Sequence, residues 1–161
     1  MILVSACLLG HHTKYDGGSN ATPILMNHTG KKQFIAFCPE QLGGLLTPRD
    51  AAEILCGSGE DVLLGRCKVS TRFGKDVTEY FLSGAEKSAQ LAVHHNVTAA
   101  ILKQRSPSCG YRQIYDGTFN HRIRSGMGVT AAILYQLGIP LYSDTEITPG
   151  LLEELLTTDT D

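Results

Sequence analysis

The sequence has no Trp, and aromatic residues make up only 7% of it, so its core must be packed mainly with aliphatic side chains. No CxxC pair occurs among its five cysteines, which removes the usual ligand spacing of structural zinc. GxGxxG and the P-loop lysine motif are both missing, so neither common phosphate cradle is available. Basic residues are not in excess, and the formal net charge is −2. That argues against a footprint for duplex nucleic acid, which needs a basic patch. No apolar run approaches the ~18 residues that cross a membrane. The apolar start, Met1 to Leu9, is too short and lacks the basic flank of a signal peptide. What remains is the expectation of a cytoplasmic protein with a small anionic or neutral ligand. At 161 residues and 42% hydrophobic, the chain has the length of a single domain and enough apolar residues for a real core.

Three stretches share one form. Ile2-Leu3-Val4-Ser5-Ala6 runs into Cys7, Phe34-Ile35-Ala36-Phe37 runs into Cys38-Pro39-Glu40, and Ala99-Ala100-Ile101-Leu102 runs into Lys103-Gln104-Arg105-Ser106-Pro107-Ser108-Cys109-Gly110. Short, wholly apolar runs read as strands buried on both faces, as in parallel sheets. If the three are parallel strands of one sheet, their cysteines converge at its carboxyl edge, where open α/β sheets place ligands.

Between these runs the chain alternates strand and helix. Asn20 is placed to cap a short helix with Pro23 in its first turn, Ile24, Leu25 and Met26 facing the core, and Gly30 as its stop. Asp76 is placed to cap the longest helix, about Val77 to His95. Val77, Phe81, Ala85, Ala89 and Val93 give that helix one apolar face. Val129 to Leu137 reads as another helix, stopped by Gly138, and Pro140 to Tyr142 as a last strand. Thr148 and Pro149 open a final helix, with Thr157 to Asp161 expected to fray. Residues 52–70 read as a small β-hairpin that leaves the main sheet, with Cys56 and Cys67 in it as small strand residues. Ile114 to Phe119 reads as a turn with an acid at its tip. The predicted fold is therefore α/β: a single domain with a mostly parallel open sheet, flanking helices and a hairpin excursion.

Four chemistries compete for the three strand-end thiols. Zinc prefers four ligands in close pairs. A nucleophilic cysteine needs one thiol and a base, and leaves two thiols idle. Three buried structural cysteines need no chemistry at all. A 4Fe-4S cluster on three cysteines uses all three and leaves one iron open to a soft substrate atom such as sulfur. Glu40, Ser106 and Arg105 then stand as polar groups for proton transfer and orientation. Asp16, before Gly17-Gly18, is a turn residue that can also reach the site after the first strand. His11-His12 reads as part of a solvated loop, and Thr47-Pro48-Arg49-Asp50 as turn punctuation with a cation.

Several segments carry a resemblance. Ser5 to Gly10, Tyr15 to Gly18, Cys38 to Gly44, Thr47-Pro48-Arg49, Gly84-Ala85-Glu86, Ile101 to Lys103, Arg105 to Gly110, Tyr115 to Phe119 and Gly128 to Ala132 together resemble the thiouracil desulfidase (TudS-like) family. The segments run in order over nearly the whole chain. The resemblance implies a 4Fe-4S cluster on Cys7, Cys38 and Cys109 with one open iron. It implies removal of sulfur from a small thiolated heterocycle of the uracil type, giving the carbonyl compound and sulfide. The family's acid/base glutamate falls on Glu40. Its serine falls on the Ser106–Ser108 segment, with Ser106 favoured, and Asp16, Arg105 and Ser108 are carried as substrate-binding candidates. His11-His12 departs from the family pattern, which bears on substrate preference. A non-catalytic iron–sulfur or sulfur-handling protein is the alternative.

Overall fold

A computed structural model describes residues 1–160; Asp161, the end of the segment expected to fray, lies outside the described residues. Four strands form a parallel sheet in the order β2-β1-β5-β8: β1 (Ile2–Ser5), β2 (Phe34–Phe37), β5 (Ala99–Leu102) and β8 (Leu141–Ser143). All four residues of β1 and all four of β5 are buried, as a strand covered on both faces requires. Successive side chains alternate faces. Ile2, Val4 and Ile101 pack with Leu25, Leu152 and Leu156 on one side. Leu3, Ala100 and Leu102 pack with Ala92, Ala131 and Leu134 on the other. The first side is covered by α1 (Pro23–Met26) and α6 (Pro149–Thr160), the second by α4 (Thr78–His94) and α5 (Val129–Gln136). Burying one such aliphatic side chain contributes about 1.5–3 kcal/mol, so aliphatic packing carries most of both layers, with Phe37 a buried aromatic in the second.

The excursion keeps its place and changes its form. β3 (Ala52–Ile54) and β4 (Val69–Thr71) pair antiparallel, but α3 (Gly59–Leu63) lies between them. The apolar triplet Val62-Leu63-Leu64, read as strand, is therefore mostly helical. The Ser58 amide donates to Asp61 Oδ2 at 2.9 Å, a helix-start device that overrides β-propensity. Cys56 and Cys67, read from sequence as small strand residues, are joined in a disulfide across this element, their Cα atoms 5.6 Å apart. A second antiparallel pair, β6 (Gln113–Tyr115) and β7 (Ile123–Ser125), replaces the expected turn.

Helix boundaries hold within about three residues, and three details differ. In α4 the buried residues are Phe81, Gly84, Ala85, Ser88 and Ala92, while Val93 is 63% exposed. Steps of four drift around a helix of 3.6 residues per turn; alternating steps of four and three stay on one face. The N-cap of the short helix α1 is Thr22 rather than Asn20, and its C-cap is Asn27, short of Gly30. α6 stays helical to Thr160, across the described part of the segment expected to fray, and Asp159 is tied to the first strand's end. Its Oδ1 accepts from the Met1 amine and from Thr98 Oγ1 at 2.8 Å.

A remaining feature of the fold places the site. α2 (Pro39–Leu42) follows β2 and lies backbone to backbone on α4. A Cβ on Gly43 would sit 2.0 Å from the Tyr80 carbonyl oxygen, and one on Gly84 would sit 2.1 Å from that of Pro39. Only glycine at both positions lets α2, and with it Cys38 and Glu40, settle this close to the long helix.

Candidate functional site

Cys7, Cys38 and Cys109 follow β1, β2 and β5, three neighbouring parallel strands, and all three line one cavity of about 720 Å³. The strand order reverses at β1, so this is the crevice beyond the carboxyl ends at a topological switch point. Cys7 sits in a 3-10 turn, Ala6–Leu9. Cys38 precedes the first residue of α2, and the Glu40 and Gln41 amides hydrogen-bond its sulfur. Cys109 is reached through a reversal. Arg105 has φ +70°, a left-handed conformation costly for a residue with a side chain, and it turns the chain back so that Ser106 to Cys109 return to the sheet edge. Gly128 locks that segment: a Cβ there would meet the Ser108 backbone at 2.5 Å. The amides of Gly128, Val129 and Ala131 donate to the carbonyls of Gly110, Pro107 and Ser108.

These are the free cysteines, and their surroundings describe one shared site. Burial raises the proton affinity of Cys7, an Asn20 hydrogen bond opposes it, and Cys38 raises it further. Burial, then Glu40, does the same to Cys38. Burial raises Cys109 most of all, a hydrogen bond from Ser5 opposes it, and Glu40, Cys7 and Cys38 add to it. Three mutually repelling thiolates in one buried pocket need a cationic partner to stay ionised. No set of three or more His, Cys, Asp or Glu among the described residues is arranged to hold a single metal ion. Three free thiols lining one cavity are soft donors of the kind that suits iron–sulfur ligation.

Around the thiols, Glu40, Arg105 and Ser106 also line the cavity. Glu40 Oε2 lies 4.0 Å from Cys38 Sγ. Ser106 Oγ accepts from the amides of Ser108 at 3.2 Å and Cys109 at 3.1 Å, and lies 3.0 Å from Ser108 Oγ. Ser108 is only 2% exposed and stands behind the cavity wall. Asp16 is outside the lining. Its side chain is 49% exposed, with Oδ1 accepting from the Gly18 amide at 2.9 Å and Oδ2 3.5 Å from Lys14 Nζ.

Three residues of the site were not singled out from sequence. Asn20, expected to cap a helix, lines the cavity; its amide donates to the Cys7 carbonyl at 3.0 Å and its side chain hydrogen-bonds the Cys7 sulfur. Ser5 Oγ accepts the Lys103 amide at 3.0 Å and hydrogen-bonds Cys109. Arg49 pairs with Glu40 at 2.7 Å. The proline and neighbouring acid around Arg49 look like turn punctuation, and nothing local shows that its side chain turns inward. A separate depression of about 740 Å³ borders β8, carries no thiol, and has its charges, Arg112 and Glu146, paired with each other.

The geometry can be set beside known proteins. A solved structure described as the [4Fe-4S]-dependent thiouracil desulfidase TudS superposes with a TM-score of 0.81 at 38% identity, covering 99% of this chain and 97% of that one. A Bacillus subtilis (strain 168) protein, named as the uncharacterized protein YbbK, is 46% identical over 147 residues, 91% of this chain and 97% of its own length. The family model described as 2-thiouracil desulfurase matches residues 2–146, and on these matches the chain belongs to the 2-thiouracil desulfurase family.

Proposed function

We propose that the chain is a 4Fe-4S-dependent desulfidase. It takes a thiolated uracil, or a related thio-nucleobase or nucleoside, and water to the carbonyl compound and sulfide. The observation that carries the proposal is the meeting of three free thiols from three adjacent strands in one cavity that also holds a carboxylate. Cys7, Cys38 and Cys109 would hold the cluster. Bound there, it supplies a Lewis-acidic iron with affinity for sulfur and needs no net electron transfer.

The remaining chemistry belongs to the chain's own residues. In the overall change water oxygen bonds to carbon, the carbon–sulfur bond breaks, and both water protons must leave the oxygen. Glu40 takes one as general base. Ser106, whose oxygen is held by two backbone amides and lies beside the Ser108 hydroxyl, is placed to turn its hydroxyl hydrogen to the heterocycle or to relay a proton. Arg105 supplies a cation at the cavity wall for a carbonyl or an anionic edge of the substrate. Asn20 and Ser5 direct hydrogen bonds at two of the sulfurs, the arrangement by which protein groups orient ligands and tune iron–sulfur sites. Tyr15, Tyr80 and Phe81 form an apolar part of the wall that suits a flat ring.

The test is anaerobic reconstitution with iron and sulfide, followed by assay with 2- and 4-thiouracil. The expected result is a brown protein that releases sulfide and forms the carbonyl product. A protein that binds a full cluster and leaves both substrates unchanged would overturn the enzyme reading and favour a sulfur-handling role.

A further inference from the structure

The Glu40–Arg49 pair joins more of the molecule than one ion pair needs. Arg49 Nη2 donates to Glu40 Oε2 at 2.7 Å and to the Thr13 carbonyl at 2.8 Å. Nη1 donates to Thr47 Oγ1 at 2.9 Å, and that hydroxyl also accepts from Gln41 Nε2 at 2.9 Å. The Arg49 amide donates to the Tyr15 carbonyl at 2.7 Å. One planar guanidinium thus ties the loop after β1 to α2, the helix that carries Glu40.

Both side chains are largely buried, Arg49 at 9% and Glu40 at 16% exposed. A buried ion pair costs desolvation and is weak support for stability alone, so its geometry is the informative part. The contacts that the protein makes to the Glu40 carboxylate fall on one oxygen. Oε2 meets Arg49 at 2.7 Å and Cys38 Sγ at 4.0 Å, and Oε1 has no hydrogen bond among the described residues. Glu40 and Arg49 both line the cavity.

We infer that Arg49 is the positioning residue for Glu40: it grips Oε2 from the side and keeps Oε1 aimed at the water that attacks the substrate. The inference rests on the reading of Glu40 as the base. It also requires arginine rather than any cation. Only a planar fork can hold Glu40, Thr13 and Thr47 at once; an ammonium on a flexible stem cannot. A misplacement of about 1 Å in a reacting group costs on the order of 10²-fold in rate.

The experiment uses the anaerobically reconstituted full chain with thiouracil. Arg49→Met and Arg49→Lys are measured alone and combined with Glu40→Gln, for iron content, kcat and KM. Arg49→Met is expected to lower kcat about 10²-fold with KM within about threefold and iron content unchanged, and Arg49→Lys to recover part of the loss. In the Glu40→Gln background, Arg49→Met is expected to cost less than about threefold more, because residues that act as a unit are not additive. Equal losses in both backgrounds would mean that Arg49 acts independently of Glu40 and would overturn the inference. So would a raised KM at constant kcat, which marks a substrate contact, or loss of iron in both Arg49 variants, which marks a support for Cys38. Normal turnover by Glu40→Gln alone would instead remove the base reading, and that result is visible without any Arg49 variant.

Discussion

Replacing Glu40 by Gln separates chemistry from scaffold. Gln has the size of Glu and can still accept from Arg49, but it cannot take a proton. The Arg49–Glu40 bond, 2.7 Å long between two largely buried groups, is charge-assisted and of the kind worth about 1.5–3 kcal/mol. A neutral acceptor keeps roughly half of that, so the fold loses on the order of 1–1.5 kcal/mol. For a domain of this length the midpoint of thermal unfolding falls by roughly 2–6 °C. The rate loses far more. A general base contributes about 10²–10⁴-fold, and a hundredfold loss corresponds to about 2.7 kcal/mol in the barrier. With the cluster on the three thiolates, as proposed, iron content is expected to stay at the wild-type value. The assay is sulfide release from thiouracil by anaerobically reconstituted protein, with iron measured on the same sample. A kcat within threefold of wild type would refute Glu40 as the base. A colourless Glu40→Gln protein would show that the carboxylate supports the cluster itself.

Ser106→Ala is expected to lower kcat by at least about tenfold with the cluster retained, whereas Ser108→Ala, behind the cavity wall, stays within about threefold; steady-state kinetics on both variants checks the order. Cys38→Ser is expected to lose iron and activity together. Cys56→Ala with Cys67→Ala keeps both but opens a disulfide spanning 11 residues, which lowers stability by about 2–3 kcal/mol in a denaturant titration. Gly84→Ala places a Cβ 2.1 Å from the Pro39 carbonyl oxygen and costs about 1–3 kcal/mol; it is expected to lower kcat by displacing Glu40, while Gly150→Ala, where a Cβ meets nothing within 4 Å, leaves kcat unchanged. Asp76→Ala tests a pH dependence. Hydrogen bonds from the Thr78 side chain and amide hold the Asp76 carboxyl below its ordinary 3.8, so its contribution is fully present above that value and is lost as pH falls through the depressed one. Thermal unfolding is expected to show Asp76→Ala less stable than wild type at pH 7, with the gap closing at acid pH.

Local pattern alone determined the central sheet and what lies at its edge. Ile2–Val4 and Ala99–Leu102 are apolar on both faces and are covered on both, as such runs imply; Phe34–Phe37 reads the same way and forms the edge strand, with Ala36 exposed. Cys7 and Cys38, directly after two of these runs, then had to appear at the same end of the sheet, because parallel strands share a direction, and the third run carries the segment of Cys109 to that end. That is why Cys7, Cys38, Cys109, Glu40, Arg105 and Ser106 line one cavity. Tertiary structure decided what short-range signals leave open. Asn20 and Arg49 carry turn-forming chemistry in their neighbourhoods, yet their side chains face Cys7 and Glu40 because segments distant in sequence leave them the space and the partners. Ser106 and Ser108 are two residues apart and chemically alike; the left-handed Arg105 and the contact with Gly128 put one in the cavity and bury the other. Asp16 followed a strand on the active edge, but the Gly18 amide and Lys14 hold it at the surface. Residue type and period determine which elements form and which way they run. Which side chain of a loop reaches the site depends on packing between segments far apart in the chain, and that is settled only when the whole fold closes.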